Sequence, residues 1–203
     1  KMDFEEIPFN LSEVLDNTLQ MFTHAVREKG LSLRFDVGEG VPQSLVGDPT
    51  RLGQILLNLV GNAMKFTHEG SVTLFVRCVE TDPQTVTLGF AVRDTGIGLS
   101  PDEAKMVFSR FWRADAGRTR ESGGLGIGLS VVKEIVDRHN GYVDVEGEKG
   151  VGACFTINLP LYYEGDEQRE QRQQQRQQRE QQQQQRQQQR EAQRQQKEQQ
   201  RAQ

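Results

Sequence analysis

The segment LGQILLNLVGNAMKFT, residues 52–67, is the stretch of sequence that decides the fold. Its apolar residues recur with the helical period and form a single stripe: Leu52, Ile55, Leu56, Leu59, Val60 and Ala63. Asp48 and Pro49 precede the stripe and are favoured as the N-cap and first residue of a helix. We therefore predict a helix that begins after Asp48, ends near Phe66 and buries this stripe in the core.

The same helix carries a polar face. Asn58 and Asn62 are four residues apart and Lys65 follows three residues later, so the three side chains lie on one side of the helix. Two amides and an ammonium group on an otherwise apolar helix suit a metal–polyphosphate ligand, and the amide oxygen of Asn62 could bind Mg²⁺. Taken alone, the amides are better explained as ordinary surface residues, but two glycine-rich turns downstream favour a nucleotide site.

The first turn is Asp94-Thr95-Gly96-Ile97-Gly98, at the end of a predicted strand. A carboxylate at Asp94 can accept a hydrogen bond from an exocyclic amine such as adenine N6. Gly96 and Gly98 would let a flat ring lie against the backbone. A tight turn after a strand explains this short motif equally well.

The second turn is Gly124-Leu125-Gly126-Ile127-Gly128, and it leads into a predicted helix. A helix N-terminus preceded by glycines is a ready anion site. The turn lacks the Lys-Ser/Thr of a Walker loop and the spacing of a dinucleotide fingerprint. Between the two turns lies a loop, residues 109–124, with four arginines that either meet a triphosphate or remain solvated: Arg110, Arg113, Arg118 and Arg120.

Periodicity elsewhere predicts an α+β fold. We expect a two-layer α/β sandwich with a mixed sheet of five or six strands, three main helices on one face, and the other face partly polar or covered by a partner. The expected strands are residues 4–9, 31–37, 71–79, 85–93, 142–146 and 153–159. The first expected helix begins at Asn10 or Ser12 and ends at Gly30, and the second begins at Asp48 and ends near Phe66. The third begins at Ser100 and ends near Phe108, and the fourth spans residues 125–140 with Gly141 as its C-cap. Residues 38–47 are expected to form a loop.

Composition divides the chain in two. Residues 1–163 read as one folded domain, and residues 164–203 are almost entirely Gln, Arg and Glu, which predicts a disordered or solvated helical tail. The tail holds nine basic and seven acidic residues and so carries +2, which leaves −6 on the folded part of a chain whose net charge is −4. An acidic folded part argues against nucleic acid as the main partner. The two cysteines, Cys78 and Cys154, are predicted to be buried free thiols rather than a disulfide or metal pair.

Four motifs in this order resemble the catalytic ATP-binding domain of sensor histidine kinases. That domain belongs to a wider superfamily with gyrase-type topoisomerases, Hsp90 chaperones and MutL-type repair proteins. The resemblance covers about residues 4–161 and rests on residues 56–67 (LLNLVGNAMKFT), 94–98 (DTGIG), 108–113 (FSRFWR) and 123–130 (GGLGIGLS). It implies the Bergerat-type ATP-binding fold, with ATP and Mg²⁺ as ligands.

The resemblance also assigns roles to individual positions. Asn62 would bind Mg²⁺ with Asn58 beside it, Lys65 would contact phosphate, and Asp94 would recognise adenine in a pocket shaped by Gly96 and Gly98. Arg118 falls where some members place an arginine on the terminal phosphate, and Arg113, five residues earlier, is also expected to bind the nucleotide. The lid glycines would be Gly124, Gly126 and Gly128, whereas Leu125 departs from the common Thr between the first two. Asn58, Lys65 and Arg118 are the expected catalytic residues.

The residue type at position 58 distinguishes the kinases of this superfamily from its ATPases. Hydrolytic members carry at this position a Glu that activates water, and an amide cannot take that proton. The resemblance therefore implies transfer of the ATP γ-phosphate to a histidine on a dimerisation domain, with a response-regulator receiver domain as the next partner. His24, His68 and His139 lack the context of that acceptor, which is expected upstream of a chain that reads as a piece of a longer protein.

Two other classes remain open at this stage: a degenerate module that binds nucleotide or protein without catalysis, and an ATPase of the chaperone or repair type. No apolar run reaches the roughly 18 residues of a membrane span. We expect a cytoplasmic segment, or one on the stromal or cytosolic side of an organellar or membrane-bound protein, without direct membrane contact.

Overall fold

A computed structural model describes residues 5–112 and 126–163. The strands are β1 (Ile7–Asn10), β2 (Ser32–Val37), β3 (Ser44–Gly47), β4 (Ser71–Thr81), β5 (Thr85–Asp94), β6 (Tyr142–Glu148) and β7 (Gly152–Tyr163). The helices are α1 (Leu11–Lys29), α2 (Pro49–Phe66), α3 (Pro101–Met106) and α4 (Gly128–Arg138). The predicted tail, residues 164–203, lies outside the described residues, so the domain division at 163 remains a prediction.

The seven strands form one mixed sheet in the order β1-β3-β7-β5-β4-β2, with β6 also paired to β7. β2 and β4 are parallel and the other pairs are antiparallel. β7 pairs with β5 along its length and also with β6 and β3, which makes it the centre of the sheet. The predicted α+β class is confirmed, and the sheet has seven strands where five or six were predicted.

The core lies between one face of the sheet and the helices. Alternate residues of the central strands are buried because successive side chains in a strand point to opposite faces. Val72, Leu74 and Val76 of β4 are buried, as are the residues of β5 and β7 in register with them, among them Phe90, Val92, Phe155 and Ile157. Helix α2 contributes the whole predicted stripe to this core.

The opposite face of the sheet is partly polar. The ring of Phe75 lies 5.5 Å from the guanidinium carbon of Arg77 and 5.6 Å from that of Arg93. Arg93 is in register with Cys154 on β7. Cys78 and Cys154 are free thiols, as predicted, but both are half-buried rather than buried.

The helix starts predicted from capping residues are confirmed. Asn10 accepts a hydrogen bond from the Ser12 N–H at 2.8 Å, and Asp48 accepts one from the Arg51 N–H at 2.9 Å. Gly30 ends α1 with a φ of 65°, a conformation that glycine adopts without strain. None of the helices in residues 5–112 and 126–163 is both long and apolar enough to cross a membrane.

Three local predictions were wrong. The predicted loop 38–47 contains β3, whose sequence Ser44-Leu45-Val46-Gly47 does not alternate between apolar and polar residues, although its burial does. Helix α4 begins at Gly128 rather than 125 and ends at Arg138. Its C-cap is His139, and Asn140, not Gly141, takes the positive φ, of 54°. Gly141 lies so close to the carbonyl oxygen of Asn158 on β7 that a Cβ would not fit, so its lack of a side chain serves packing.

Candidate functional site

The polar face of α2 lies beside the first turn of α4. Asn58, Asn62 and Lys65 are half-buried, between the buried stripe and solvent. The amide nitrogen of Asn58 donates to the carbonyl oxygen of Gln54 at 2.8 Å. Its oxygen lies so close to Gly128 that a Cβ added there would be 2.5 Å away. A glycine at 128 therefore lets the start of α4 approach the middle of α2.

The start of α4 offers backbone N–H groups. Ile127 occupies the N-cap position and makes no side-chain capping hydrogen bond. The hydroxyl of Ser130, inside the first turn, donates to the Ile127 carbonyl oxygen at 2.8 Å. Backbone donors at the first turn of a helix, together with the helix dipole, favour an anion. The predicted anion site at this helix start is thus chemically suited to phosphate oxygens.

Gly126 joins the segment before α4 to the segment after α3. It has a φ of 68°, and the N–H of Phe111 donates to its carbonyl oxygen at 2.9 Å. A Cβ at Gly126 would lie 2.8 Å from the carbonyl oxygen of Trp112. The chain thus passes close to itself on either side of residues 113–125. Four predicted site or loop residues lie in that stretch, outside the described residues: Arg113, Arg118, Arg120 and Gly124.

The turn at Asp94 lies against the C-terminal end of α2. The N–H of Ile97 donates to the carbonyl oxygen of Phe66 at 3.2 Å, and Gly96 packs against that same carbonyl. The side chain of Asp94 accepts a hydrogen bond from the N–H of Gly96 at 2.8 Å. The carboxyl group is consequently held in one orientation at the end of β5, next to the last residue of α2.

Asp94 is buried, with 7% of its surface exposed. This burial raises the pKa of its carboxyl group, because desolvation disfavours the charged form, while hydrogen bonds from the backbone of Gly96 and Ala153 act in the opposite direction. A carboxylate in such a place loses water and gains from a polar partner. A ligand amine that donates a hydrogen bond would supply one.

Two segments distant in sequence thus contact α2 at different points along its length. The start of α4 lies beside Asn58, and the Asp94 turn lies beside Phe66, eight residues further along α2. Eight residues of helix span about 12 Å, since each adds about 1.5 Å. Asn62 and Lys65 lie between the two ends. Backbone N–H donors at one end and the Asp94 carboxylate at the other are therefore separated by a distance comparable to the length of an extended nucleotide.

Arg110 and two of the histidines considered in the sequence make contacts away from the Asn58–Phe66 part of α2. Arg110 forms an ion pair with Glu134 of α4 at 3.1 Å, and Glu134 also pairs with Arg138 at 2.8 Å, so this arginine is engaged on α4. His139 shares a 2.7 Å hydrogen bond with the carbonyl oxygen of Ile135 at the end of α4. His24 lies 3.7 Å from Glu28 on the exposed side of α1.

The sequence did not predict that the β6–β7 hairpin packs against the Asp94 turn. Gly98 has a φ of 66° and packs against the carbonyl oxygen of Glu148, and Gly152 has a φ of 136° and packs against the carbonyl oxygen of Asp94. The hairpin between β6 and β7 therefore supports the turn. The glycine-rich sequence of the hairpin was visible, but nothing local in it indicates which distant backbone it approaches.

A protein-family model described as "Histidine kinase-, DNA gyrase B-, and HSP90-like ATPase" matches residues 47–163, which include all the site elements described above. The chain belongs to this family. The match begins just before α2 and ends with β7. Together with the sensor-kinase relatives below, it confirms the predicted resemblance to the catalytic ATP-binding domain of sensor histidine kinases.

Sensor kinases are among the curated proteins that the chain resembles. "Sensor histidine kinase GacS" from Pseudomonas protegens is 39% identical over 170 residues, which are 84% of this chain and 18% of that protein. "Signal transduction histidine-protein kinase BarA" from Escherichia coli is 35% identical over 161 residues, 79% of this chain and 18% of that protein. The chain thus spans less than a fifth of the length of these relatives.

Solved histidine kinases share the fold. The full-length ShkA structure in complex with AMPPNP aligns with a TM-score of 0.71 at 30% identity, over 81% of this chain and 33% of that chain. The mycobacterial sensor histidine kinase MprB aligns with a TM-score of 0.58 at 28% identity, over 78% of this chain and 99% of that chain. The predicted Bergerat-type fold is confirmed by these likenesses.

Proposed function

We propose that this chain is the ATP-binding part of a sensor histidine kinase and transfers the γ-phosphate of ATP to a histidine on a dimerisation domain. The observation that carries the proposal is the placement of two glycine-bearing segments at two points of α2. The start of α4 lies at Asn58, and the Asp94 turn lies at Phe66. Triphosphate would occupy the first end and adenine the second.

The proposal assigns a role to each site residue that the structure describes. The carboxylate of Asp94 accepts a hydrogen bond from the adenine amine, and Gly96 and Gly98 keep the base pocket open. Lys65 and the N–H groups at the start of α4, reached through Gly126 and Gly128, meet phosphate oxygens. For the residues outside the described part, we propose that Arg113, Arg118 and Gly124 act on the phosphates, as the family resemblance implies.

The chain's residues fit a magnesium ion carried by the nucleotide. Within residues 5–112 and 126–163 there is no group of three His, Cys, Asp or Glu side chains that could hold a metal by itself. Asn62, half-buried between Asn58 and Lys65, offers one amide oxygen. Mg²⁺ prefers oxygen ligands and usually takes most of them from phosphates and water, so one amide suffices. When bound, the ion neutralises phosphate charge.

Asn58 determines the type of reaction. In the proposed transfer, a histidine ring nitrogen attacks the γ-phosphorus, the bond to the β-phosphate oxygen breaks, and ADP leaves. The protein contributes mainly position and charge to such a reaction. Asn58 already donates to Gln54 and carries no basic group, so it cannot activate water. Hydrolysis is disfavoured, and the phosphoryl group passes to an outside nucleophile.

The decisive experiment supplies that nucleophile. The chain is mixed with radiolabelled ATP, Mg²⁺ and a separate polypeptide that contains the dimerisation helices of a histidine kinase. We expect acid-labile, base-stable label on that polypeptide, and none when its acceptor histidine is replaced by glutamine. ATP binding without label would favour a non-catalytic module, and steady phosphate release without acceptor would favour an ATPase.

The partners and location of the complete protein follow from the same proposal. The dimerisation domain belongs to an upstream segment or acts in trans, and a response-regulator receiver domain accepts the phosphoryl group from histidine. We propose that this part works in the cytoplasm, or on the corresponding side of an organellar membrane, where ATP is supplied.

A pH experiment tests the role of Asp94. At neutral pH, Asp94→Asn should weaken ATP binding about 10- to 100-fold, because a hydrogen bond to a charged acceptor is lost. Burial raises the pKa of Asp94, so the wild-type carboxyl group gains its proton before an ordinary aspartate does as pH falls. The ratio of the two dissociation constants should therefore shrink towards acid pH, and the titration of ATP itself cancels in the ratio.

The same substitution should weaken ATP binding at neutral pH without lowering the stability of the fold. Folding raises the pKa of this carboxyl group, so between its unfolded and folded pKa values the folded protein holds the proton more tightly than the unfolded chain. Its contribution to the free energy of unfolding therefore falls as the pH rises from the unfolded pKa through the folded pKa. Asp94→Asn should thus unfold in urea at an equal or higher midpoint than the wild type at neutral pH, with the difference vanishing in acid. A large loss of stability at neutral pH would contradict this account.

A further inference from the structure

The tip of the β6–β7 hairpin contacts both the Asp94 turn and helix α3, which follows the turn. The N–H of Gly150 donates to the carbonyl oxygen of Ile97 at 2.8 Å. Beside this bond, the ammonium group of Lys149 lies 2.7 Å from one carboxylate oxygen of Glu103 and 2.9 Å from the other. The ion pair therefore ties the hairpin to the helix that follows the turn.

Glu103 is also bound to the start of α3. Its carboxylate accepts a hydrogen bond from the N–H of Ser100 at 2.7 Å, and its own N–H donates to the Ser100 hydroxyl at 3.3 Å. This reciprocal capping box holds the residue two positions after Gly98. Lys149, followed by the backbone of Ser100, lowers the pKa of the Glu103 carboxyl group, so the group is charged at neutral pH.

The pair thus closes a ring of contacts around the turn. The ring runs from Asp94 through Gly98 to the capped start of α3, across the Glu103–Lys149 pair to the hairpin, and back to Asp94, where Gly152 packs against its carbonyl oxygen. Glu103 has 20% of its side chain exposed and Lys149 has 52%, so the pair is partly shielded on the glutamate side. A shift of the hairpin would move the backbone that supports Asp94.

We propose that Glu103 and Lys149 are positioning residues for the base-binding end of the site. Neither touches the nucleotide; together they keep the Asp94 turn in the orientation that accepts the adenine amine. This inference rests on the proposed function, because it names residues that tune the same ATP site. It predicts weaker adenine binding without the pair, and unchanged affinity for the phosphate part alone.

The test uses substitutions that remove charge and keep shape. Glu103→Gln retains an oxygen that can accept from Ser100, so the capping box survives. Lys149→Met removes the charge and retains the aliphatic stem, whereas Lys149→Arg keeps the charge. The control is Lys133→Met, which breaks the Lys133–Asp137 pair within α4; Lys133 is 46% exposed, close to the 52% of Lys149. Binding is measured with a fluorescent ATP analogue, with inorganic triphosphate as a competitor.

We expect Glu103→Gln and Lys149→Met each to weaken the ATP analogue about twofold to fivefold, the range for one partly exposed ion pair. The double variant should be no weaker than either single one, Lys149→Arg should bind as the wild type, and Lys133→Met should have no effect. The apparent KM for ATP should rise with kcat unchanged. Inorganic triphosphate should compete equally well in all variants.

Two results would overturn the inference. Equal affinity for the ATP analogue in all proteins would show that the pair does not position the turn, while leaving the proposed function intact. Parallel loss of triphosphate affinity would show a general structural role. If instead the wild type bound no ATP analogue at all, the proposed function itself would fail.

Discussion

Gly98→Ala is expected to lower the free energy of unfolding by about 3 kcal/mol or more and to abolish nucleotide binding. Gly98 has a φ of 66°, and an added Cβ would overlap the carbonyl oxygen of Glu148 and lie 3.0 Å from that of Gly152. Both neighbours are backbone atoms in paired strands and cannot turn aside. Either the hairpin or the Asp94 turn must move, and each movement displaces the Asp94 carboxyl group.

Gly150→Ala is the control for backbone strain. Gly150 has a φ of 78°, also in the left-handed region, but an added Cβ would meet nothing within 4 Å. This substitution should cost only about 1 kcal/mol, the penalty for an L-residue in that conformation. Urea denaturation followed by circular dichroism measures both proteins. Equal losses for the two variants would mean that crowding against Glu148 is not the reason for glycine at 98.

Asn62→Ala is expected to weaken Mg²⁺-dependent ATP binding about 100-fold and to reduce phosphotransfer at least as much. Asn62 lies on α2 between Asn58 and Lys65, half-buried, where its amide oxygen is the proposed protein ligand of the ion. Alanine is the best helix former, so α2 and its buried stripe should be undisturbed. Titration with a fluorescent ATP analogue in Mg²⁺, and again in a chelator, measures the effect.

The magnesium dependence distinguishes a metal ligand from a general contact. In the chelator, wild type and Asn62→Ala should bind the analogue with similar, weak affinity. Asn17→Ala removes an exposed amide from α1 and should match the wild type in both conditions. Equal binding of wild type and Asn62→Ala in Mg²⁺ would remove Asn62 from the site and leave the proposed metal position without its ligand.

Local patterns predicted the helices well where a cap and a periodic stripe occur together. Asp48, Pro49 and the buried stripe placed α2 at residues 49–66, as found. The same reasoning failed for β3, which holds four residues, and for the start of α4, which is not marked by a capping side chain. Short or uncapped elements depend on their partners in the fold, which their own sequence does not contain.

The chemistry of the site was readable because it resides in residue types. Amides and a lysine on one helix face, a carboxylate before glycines, and glycines before a helix each limit what a ligand can be. The family match over residues 47–163 agrees with that interpretation. The roles of individual residues remain predictions, and those of Arg113, Arg118 and Gly124 concern a stretch outside the described residues.

The amino-acid sequence by itself determined the helix that carries the polar face, the two glycine turns and the absence of a base at residue 58. Only the tertiary structure decided that Gly128 approaches Asn58, that Phe66 holds the Asp94 turn, and that Glu103 and Lys149 join two distant segments. The physical reason is range. Helix periods and caps act over three or four residues, whereas these contacts exist only after the strands have paired and brought remote backbone within van der Waals distance.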